Sequence, residues 1–218
     1  MADEQAMTRS IQRSATPRIG NEAVATVGAA GSVVAIVGLA GVLPQLLAEI
    51  AVILVGAAYV AAQGSAVARF QLSLSEEERR QLHRLPVGGA VTGEFVGGMA
   101  AALLGLLALL NVAQMPLLAI AVILLGAVQI ASGRSLNRIS ALMIETSDAD
   151  PRVKAVAREA AGASLGAVLL IGMGAVTLGI LALVLHVATL SLVLAAGIAL
   201  GLGTLFEAAS RSVHVPAS

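Results

Sequence analysis

The sequence has few of the residues on which soluble proteins depend. Its 218 residues include no cysteine and no tryptophan, 2% are aromatic and 12% are charged. That charged fraction is about half of what an ordinary soluble domain carries. Together these shortages exclude an ordinary soluble enzyme, a disulfide scaffold, a nucleic-acid-binding protein and a disordered tail.

Apolar residues dominate what is present. The chain is 58% hydrophobic, contains 23 glycines and has a mean hydropathy of +0.93. Six apolar stretches each approach the ~20 residues that cross a bilayer as a helix. They do not alternate polar and apolar residues as barrel strands do, so we predict an all-α, polytopic membrane protein. The six predicted transmembrane helices cover 23–43, 46–67, 87–110, 116–132, 160–185 and 188–208.

The basic residues predict the orientation. All 13 lysines and arginines fall in the N-terminal tail, after the second stretch, after the fourth stretch or in the C-terminal tail. The other three connections carry none. Because cytoplasmic loops are enriched in lysine and arginine, we predict a multi-pass protein of the inner (plasma) membrane with both termini in the cytoplasm. The lipid bilayer is then its first partner.

The sequence repeats with a period of about 70 residues. Residues 51–57, AVILVGA, recur as AVILLGA at 121–127, and Gly197 continues the series 71 residues after Gly126. An acid stands near the start of each odd stretch, at Glu22, Glu94 and Glu159. We therefore predict three copies of one helical hairpin, at 22–70, 87–140 and 159–210. The loops at 71–86 and 141–158 and the tails at 1–21 and 211–218 complete the division.

The two longer loops carry helix-start signals. Ser75 and Glu78 form a capping-box pattern that predicts a short helix over 76–85. Pro151 follows an aspartate and suits the first position of a second helix, which can run directly into the fifth transmembrane helix.

Small residues, four glycines and Ala101, recur every four residues in the third stretch, a glycine-zipper pattern. Helices that meet inside lipid rely on close van der Waals contact, which small residues permit. The pattern therefore predicts either packing within the bundle or a self-association face that forms a homo-oligomer. The predicted packing residues are Gly89, Gly93, Gly97 and Gly105.

Glutamates inside apolar stretches are the candidate functional groups, because ionisable residues in a membrane are costly. Glu94 lies either deep in the third helix or in its first turn, where it meets the positive end of the helix dipole. Glu49, Tyr59 and Gln63 fall near one side of the second helix. That stripe can line an ion or proton path, or hydrogen-bond a neighbouring helix.

No catalytic, cofactor or metal site is predicted. Residues 162–166, GASLG, have the letters of a nucleophile elbow, but that motif needs a strand-to-helix turn. The three histidines are scattered along the chain, and there is no cysteine to complete a metal site. The expectation is a protein that is not an enzyme and has no cofactor.

The spacing of glycine, turn proline and mid-helix glycine marks a resemblance. It occurs in 36–64, with Gly38, Pro44 and Gly56, and again in 111–133, with Pro116 and Gly126. This pattern resembles the six-helix, short-repeat membrane proteins of the HdeD-like family. The resemblance implies a role in acid or envelope stress, without catalytic residues. Two functions are considered: a non-enzymatic stress-related or scaffolding protein, and a small proton or ion channel or transporter that uses Glu49 and Glu94.

Overall fold

The computed structural model describes residues 24–73, 88–146, 151–185 and 189–212, which contain six α-helices and no strand. The all-α class is therefore confirmed. The helices are α1 (Val24–Leu39), α2 (Pro44–Ser73), α3 (Gly88–Leu109), α4 (Gln114–Thr146), α5 (Pro151–Leu185) and α6 (Thr189–Ser212).

Four helices contain segments that are long and apolar enough to cross a membrane. These segments are Pro44–Ala62, Gln114–Gly133, Leu165–Leu185 and Thr189–Glu207. The apolar segments Val24–Leu39 in α1 and Gly93–Leu109 in α3 are shorter. The length and composition of the helices thus agree with a multi-pass membrane protein, while six spans stay a prediction.

Several helices extend beyond the apolar stretches. α2 continues to Ser73, and α4 continues to Thr146. α5 begins at Pro151, as the proline predicted, so the expected loop at 141–158 is largely helical. Hydropathy marks where lipid ends, whereas helical hydrogen bonds continue into polar sequence that contains good helix formers. The predicted capping box and helix over 76–85 lie outside the described residues, as do the tail at 1–21 and most of 211–218.

Two connections share one backbone conformation. After α1, Gly41 has φ +93° and its N–H bonds to the carbonyl of Gly38, while the Val42 N–H bonds to that of Val37. After α3, Asn111 has φ +63°. Its N–H bonds to the carbonyl of Ala108, and the Val112 N–H bonds to that of Leu107. This is the Schellman motif, whose left-handed residue is most often glycine and sometimes asparagine.

The even-numbered helices form the centre of the bundle, because α2, α4 and α6 all contact one another. α3 packs between α2 and α4, and α5 packs between α4 and α6. α1 contacts both α2 and α6, since Gly31 faces Val55 and Gly38 faces Leu194. The core is dominated by alanine, valine and leucine, whose small or compact side chains let the helices lie close together.

Three helix interfaces contain a glycine on each side. A Cβ atom added to Gly56 would lie 2.9 Å from the carbonyl oxygen of Gly98, and one added to Gly126 would lie 2.8 Å from that of Gly172. A Cβ atom on Gly201 would lie 2.8 Å from the carbonyl oxygen of Gly28. These backbones touch because neither residue has a side chain.

In the third of these contacts, the glycine of α6 that touches another backbone is Gly201 and not Gly197. Gly56, Gly126 and Gly201 each lie twelve residues after the first residue of their helix. Gly197, which the 71-residue spacing selected, instead lies near the Cβ atoms of Ala35 and Ala51. Counted from the helix starts, the glycine of α6 at the same position as Gly56 and Gly126 is therefore Gly201, one helical turn after Gly197.

Candidate functional site

The two ends of the bundle differ in charge. We call the end with the connections at 40–43 and 110–113 the turn end, and the opposite end the basic end. The described helices carry their lysines and arginines only near the basic end, at Arg69, Arg134, Arg138, Arg152, Lys154, Arg158 and Arg211. α2, α4 and α6 all run from the turn end to the basic end, so equal distances along them correspond to similar depths.

Glu94 is buried inside the bundle, with 4% of its surface exposed. It lies six residues after the start of α3, whose first turn contains no acid. Glu159 is exposed and lies beyond the first turn of α5, and Glu22 is outside the described residues. Of the two alternatives for Glu94, the structure therefore agrees with a position deeper in the third helix and not with one in its first turn. Of the two acids that the structure describes here, Glu94 lies in the protein interior and Glu159 is exposed.

The position of Glu94 follows from Gly98. A residue four positions earlier lies on the same helix face, so Glu94 faces the bundle as Gly98 does. Val24 stands four residues before Gly28, and Val168 stands four residues before Gly172, and both valines are buried. An acid thus occupies in α3 a place that α1 and α5 fill with valine.

Polar side chains form a layer in the half of the bundle nearer the basic end. Tyr59, Gln129 and Thr204 each lie fifteen residues after the start of their helix. Ser132 and Glu207 lie eighteen residues after the starts of α4 and α6. All are buried. Together with Glu94, these residues form a set that we call the polar layer: Tyr59, Glu94, Gln129, Ser132, Thr204 and Glu207.

Gln129 lies at the contact of α4 with α6. A Cβ atom on Gly203 would lie 2.5 Å from the side-chain nitrogen of Gln129, and one on Gly172 would lie 3.2 Å from the Cβ atom of Gln129. Neither amide atom of Gln129 has a hydrogen-bond partner among the described residues. The neighbouring Thr204 hydroxyl donates to the carbonyl of Gly201 at 2.8 Å. The amide of Gln129 is therefore held inside the bundle by packing.

Glu49 belongs to a separate site at the turn end. It is 3% exposed and lines a cavity of about 500 Å³. Its Oε1 atom has no hydrogen-bond partner among the described residues. Gln45 donates a hydrogen bond to Gln114, which donates to Asn111 at 2.8 Å. We call this the turn-end cavity, lined by Leu43, Pro44, Gln45, Leu46, Glu49, Leu109, Asn111, Gln114 and Leu190.

The predicted stripe along α2 does not form one continuous polar surface. Ten residues, about 15 Å of helix, separate Glu49 from Tyr59. Val52 and Val55 between them are buried in the apolar core. Gln63 lies in α2, but its side chain is outside the described residues. The structure therefore contains two polar sites at different depths with an apolar layer between them.

Two of the four predicted packing glycines, Gly97 and Gly105, face neighbouring helices. A Cβ atom on Gly105 would lie 2.9 Å from Ile53, and one on Gly97 would collide with Val128. Gly93 has no described atom within 4 Å of such a Cβ position. Gly89 lies in α3, and its surroundings are outside the described residues. Gly98, which is not one of the four predicted glycines, makes the backbone contact with Gly56.

Sequence reasoning identified Glu49, Tyr59 and Glu94 but missed Gln129, Ser132 and Thr204. The structure also buries Glu207, with 2% exposure. When α4 and α6 are aligned by their first residues, Gln129 matches Thr204 and Ser132 matches Glu207. This alignment would have predicted that each pair lies at the same depth in the bundle.

Within the described residues, no group of three or more histidines, aspartates and glutamates could hold a metal ion. Comparison of the chain with protein-family models, with curated proteins and with solved structures finds no match.

Proposed function

We propose that the protein moves protons or a small cation across the inner membrane. In this proposal, Glu49 binds the proton or cation at the turn end, and Glu94 and Glu207 bind it in the polar layer. The burial of Glu94 inside the bundle carries this proposal. A carboxylate that faced lipid headgroups would have a purely local role, whereas one enclosed by helices can exchange protons or cations with other buried polar groups.

The membrane arrangement belongs to the same proposal. All six helices cross the bilayer as three copies of one hairpin, with the basic end in the cytoplasm. The equal positions of Gly56, Gly126 and Gly201 support the three copies. α1 and α3 support six spans because each packs alongside two of the longer helices. The charge difference between the ends supports the orientation.

The cost of the buried acids favours transport over a purely structural role. An acidic residue near the middle of a membrane helix costs roughly 2.5–3.5 kcal/mol on insertion scales. Glycine contacts already bring the helices together without these acids. Transfer of a positive charge is a role that suits buried carboxylates such as Glu94, and it would offset this cost.

The apolar layer between the two sites defines how transport must work. Val52 and Val55 separate Glu49 from Tyr59 in this conformation. A polar connection therefore requires a change in helix packing or the entry of water. This favours a transporter, which exposes its sites in turn, over a permanently open channel.

Flux into liposomes tests the proposal. The unmodified protein is reconstituted with an internal pH-sensitive dye, and proton entry is followed under an imposed gradient. In parallel, the entry of a small organic cation is measured in a separate assay. We expect flux above that of empty liposomes, and a return to the empty-liposome rate in Glu49→Gln and Glu94→Gln. Glu159→Gln is the matched control, because Glu159 is an exposed acid outside both sites.

Two results would overturn the proposal. Absence of both proton and cation flux in the folded, reconstituted protein would exclude transport. Undiminished flux in Glu94→Gln would exclude Glu94 from the path and remove the observation on which the proposal rests.

A scaffolding role is the second candidate function, and open glycines on α5 favour it. No described atom lies within 4 Å of a Cβ position on Gly162 or Gly166, and both residues are exposed. Two glycines four residues apart on a free helix face suit self-association. Crosslinking in native membranes is expected to give a homo-oligomer that Gly166→Leu disrupts. The stress role implied by the HdeD-like resemblance is tested by survival at acidic pH with and without the protein.

A further inference from the structure

We propose that the turn-end cavity binds a small protonated primary amine with a short apolar tail. This inference rests on the proposed transport function for its physiological meaning, because it names the class of cation that enters at Glu49. Binding at the cavity is nevertheless measurable by itself.

The charge of the cavity selects a cation. The Glu49 carboxylate is almost completely enclosed, and its Oε1 atom lacks a hydrogen-bond partner among the described residues. No lysine, arginine or histidine is among the described residues that line the cavity. A ligand with one positive charge in the cavity would neutralise this carboxylate.

The size and walls of the cavity select an organic cation. A volume of about 500 Å³ lies within the range of small-molecule pockets and far exceeds a bare ion. Besides Glu49, the polar lining consists of three side-chain amides. The remaining lining residues are apolar and suit an alkyl group: Leu43, Pro44, Leu46, Leu109 and Leu190.

The choice of polar groups selects a primary amine over a quaternary one. Quaternary ammonium groups are recognised by aromatic faces, and no aromatic residue is among the described residues of the lining. A primary ammonium has three N–H donors. The carboxylate of Glu49 and the side-chain oxygen of Gln45 can accept from it.

Gln45 and Glu49 are placed to act together. They lie four residues apart on α2 and therefore on the same helix face. The amide nitrogen of Gln45 donates to Gln114, and Gln114 in turn donates to Asn111. This chain of amides holds the Gln45 side chain at the cavity and directs its nitrogen toward Gln114, which leaves its oxygen for the ligand.

Calorimetry of the full chain in lipid nanodiscs tests the inference, with empty nanodiscs as the blank. The probes are n-butylammonium, n-butyltrimethylammonium and 1-butanol at neutral pH. We expect saturable binding of n-butylammonium and at least about tenfold weaker binding of the other two, because n-butyltrimethylammonium has no N–H donor and 1-butanol has no positive charge. Glu49→Gln is expected to weaken n-butylammonium binding by at least about tenfold, and Glu159→Gln to leave it unchanged.

Asn111→Gly is the second variant. This substitution removes one of the three hydrogen-bonded side-chain amides. Glycine adopts the left-handed conformation of the turn, as Gly41 does in the first connection. We expect weaker binding than in the unmodified protein and stronger binding than in Glu49→Gln, with the helical content unchanged. Folding is thereby checked independently of the carboxylate.

The outcomes separate this inference from the transport proposal. Equal binding of the primary and quaternary amines, or unchanged binding in Glu49→Gln, overturns the amine site. Amine binding without flux retains the site and overturns transport. Proton flux without saturable amine binding retains transport and overturns the site.

Discussion

Gly56 on α2 and Gly98 on α3 pack backbone against backbone, and a Cβ atom on Gly56 would lie 2.9 Å from both the carbonyl oxygen of Gly98 and the amide nitrogen of Ala102. Both neighbours are main-chain atoms of a helix, which cannot move aside as a flexible side chain can. Because lipid and protein interiors are equally apolar, such close contacts are a principal source of helix association in a bilayer.

Gly56→Ala is therefore expected to destabilise the bundle by about 1 to 3 kcal/mol through overpacking. The measurement is unfolding of the detergent-solubilised protein by increasing SDS, followed by circular dichroism. Gly93→Ala is the matched control, because no described atom lies within 4 Å of the added Cβ. It should be neutral or stabilise by up to about 1 kcal/mol through helix propensity. Equal losses in the two variants would contradict the close contact.

Asn111 is expected to tolerate glycine better than valine. Its φ of +63° lies in the left-handed region, which glycine adopts freely and a β-branched residue does not. Both substitutions remove the hydrogen bond from Gln114, so their difference reports the backbone alone. We expect Asn111→Val to be less stable than Asn111→Gly by about 1 to 2 kcal/mol in the same SDS titration. Identical stabilities would show that the turn changes conformation.

Glu49→Leu is expected to stabilise the protein and abolish its function. Leu194 lies five residues after the start of α6, as Glu49 does in α2, and is equally buried. Replacing a buried carboxylate whose Oε1 lacks a described partner should add about 1 to 3 kcal/mol. Glu49→Gln, which retains buried polar atoms, should add less. Reduced stability of Glu49→Leu would mean that the carboxylate makes a favourable contact in the folded protein.

Cysteine labelling tests the orientation on a chain that contains no natural cysteine. Val112→Cys places an exposed thiol at the turn end, and Ala155→Cys places one on α5 near the basic end. We expect a membrane-impermeant maleimide to modify Val112→Cys in intact cells and Ala155→Cys only after permeabilisation. The unmodified chain gives the background. The reverse pattern would place the basic end outside the cytoplasm.

Much of the fold can be predicted from two simple patterns. Apolar length predicts helices in a membrane, and the proline at 151 predicts the start of α5. Apolar length does not predict where α2 and α4 end, because their polar last turns keep the same backbone hydrogen bonds as the apolar ones. Helix ends outside lipid therefore need more than hydropathy.

The candidate site was harder to predict for a geometric reason. Aligning α6 through Gly197 instead of Gly201 shifts it by four residues. Such a shift rotates a helix by only about 40°, so the same residues still face inward and the apolar pattern does not change. The error concerns depth alone, and depth is what brings Gln129 and Thr204 to one level. Contacts between helices were needed to detect it.

The glycine contacts also determine where the chain can change in length. Along the chain, the glycines that take part in these contacts are separated by 28 residues from Gly28 to Gly56, by 28 from Gly98 to Gly126 and by 29 from Gly172 to Gly201. The connections through the basic end span 42 residues from Gly56 to Gly98 but 46 from Gly126 to Gly172. One residue inserted inside a helix between its turn and its glycine would rotate that glycine by about 100° away from its partner. We therefore expect an epitope inserted in a connection at the basic end to disturb the bundle less than the same insertion inside a helix.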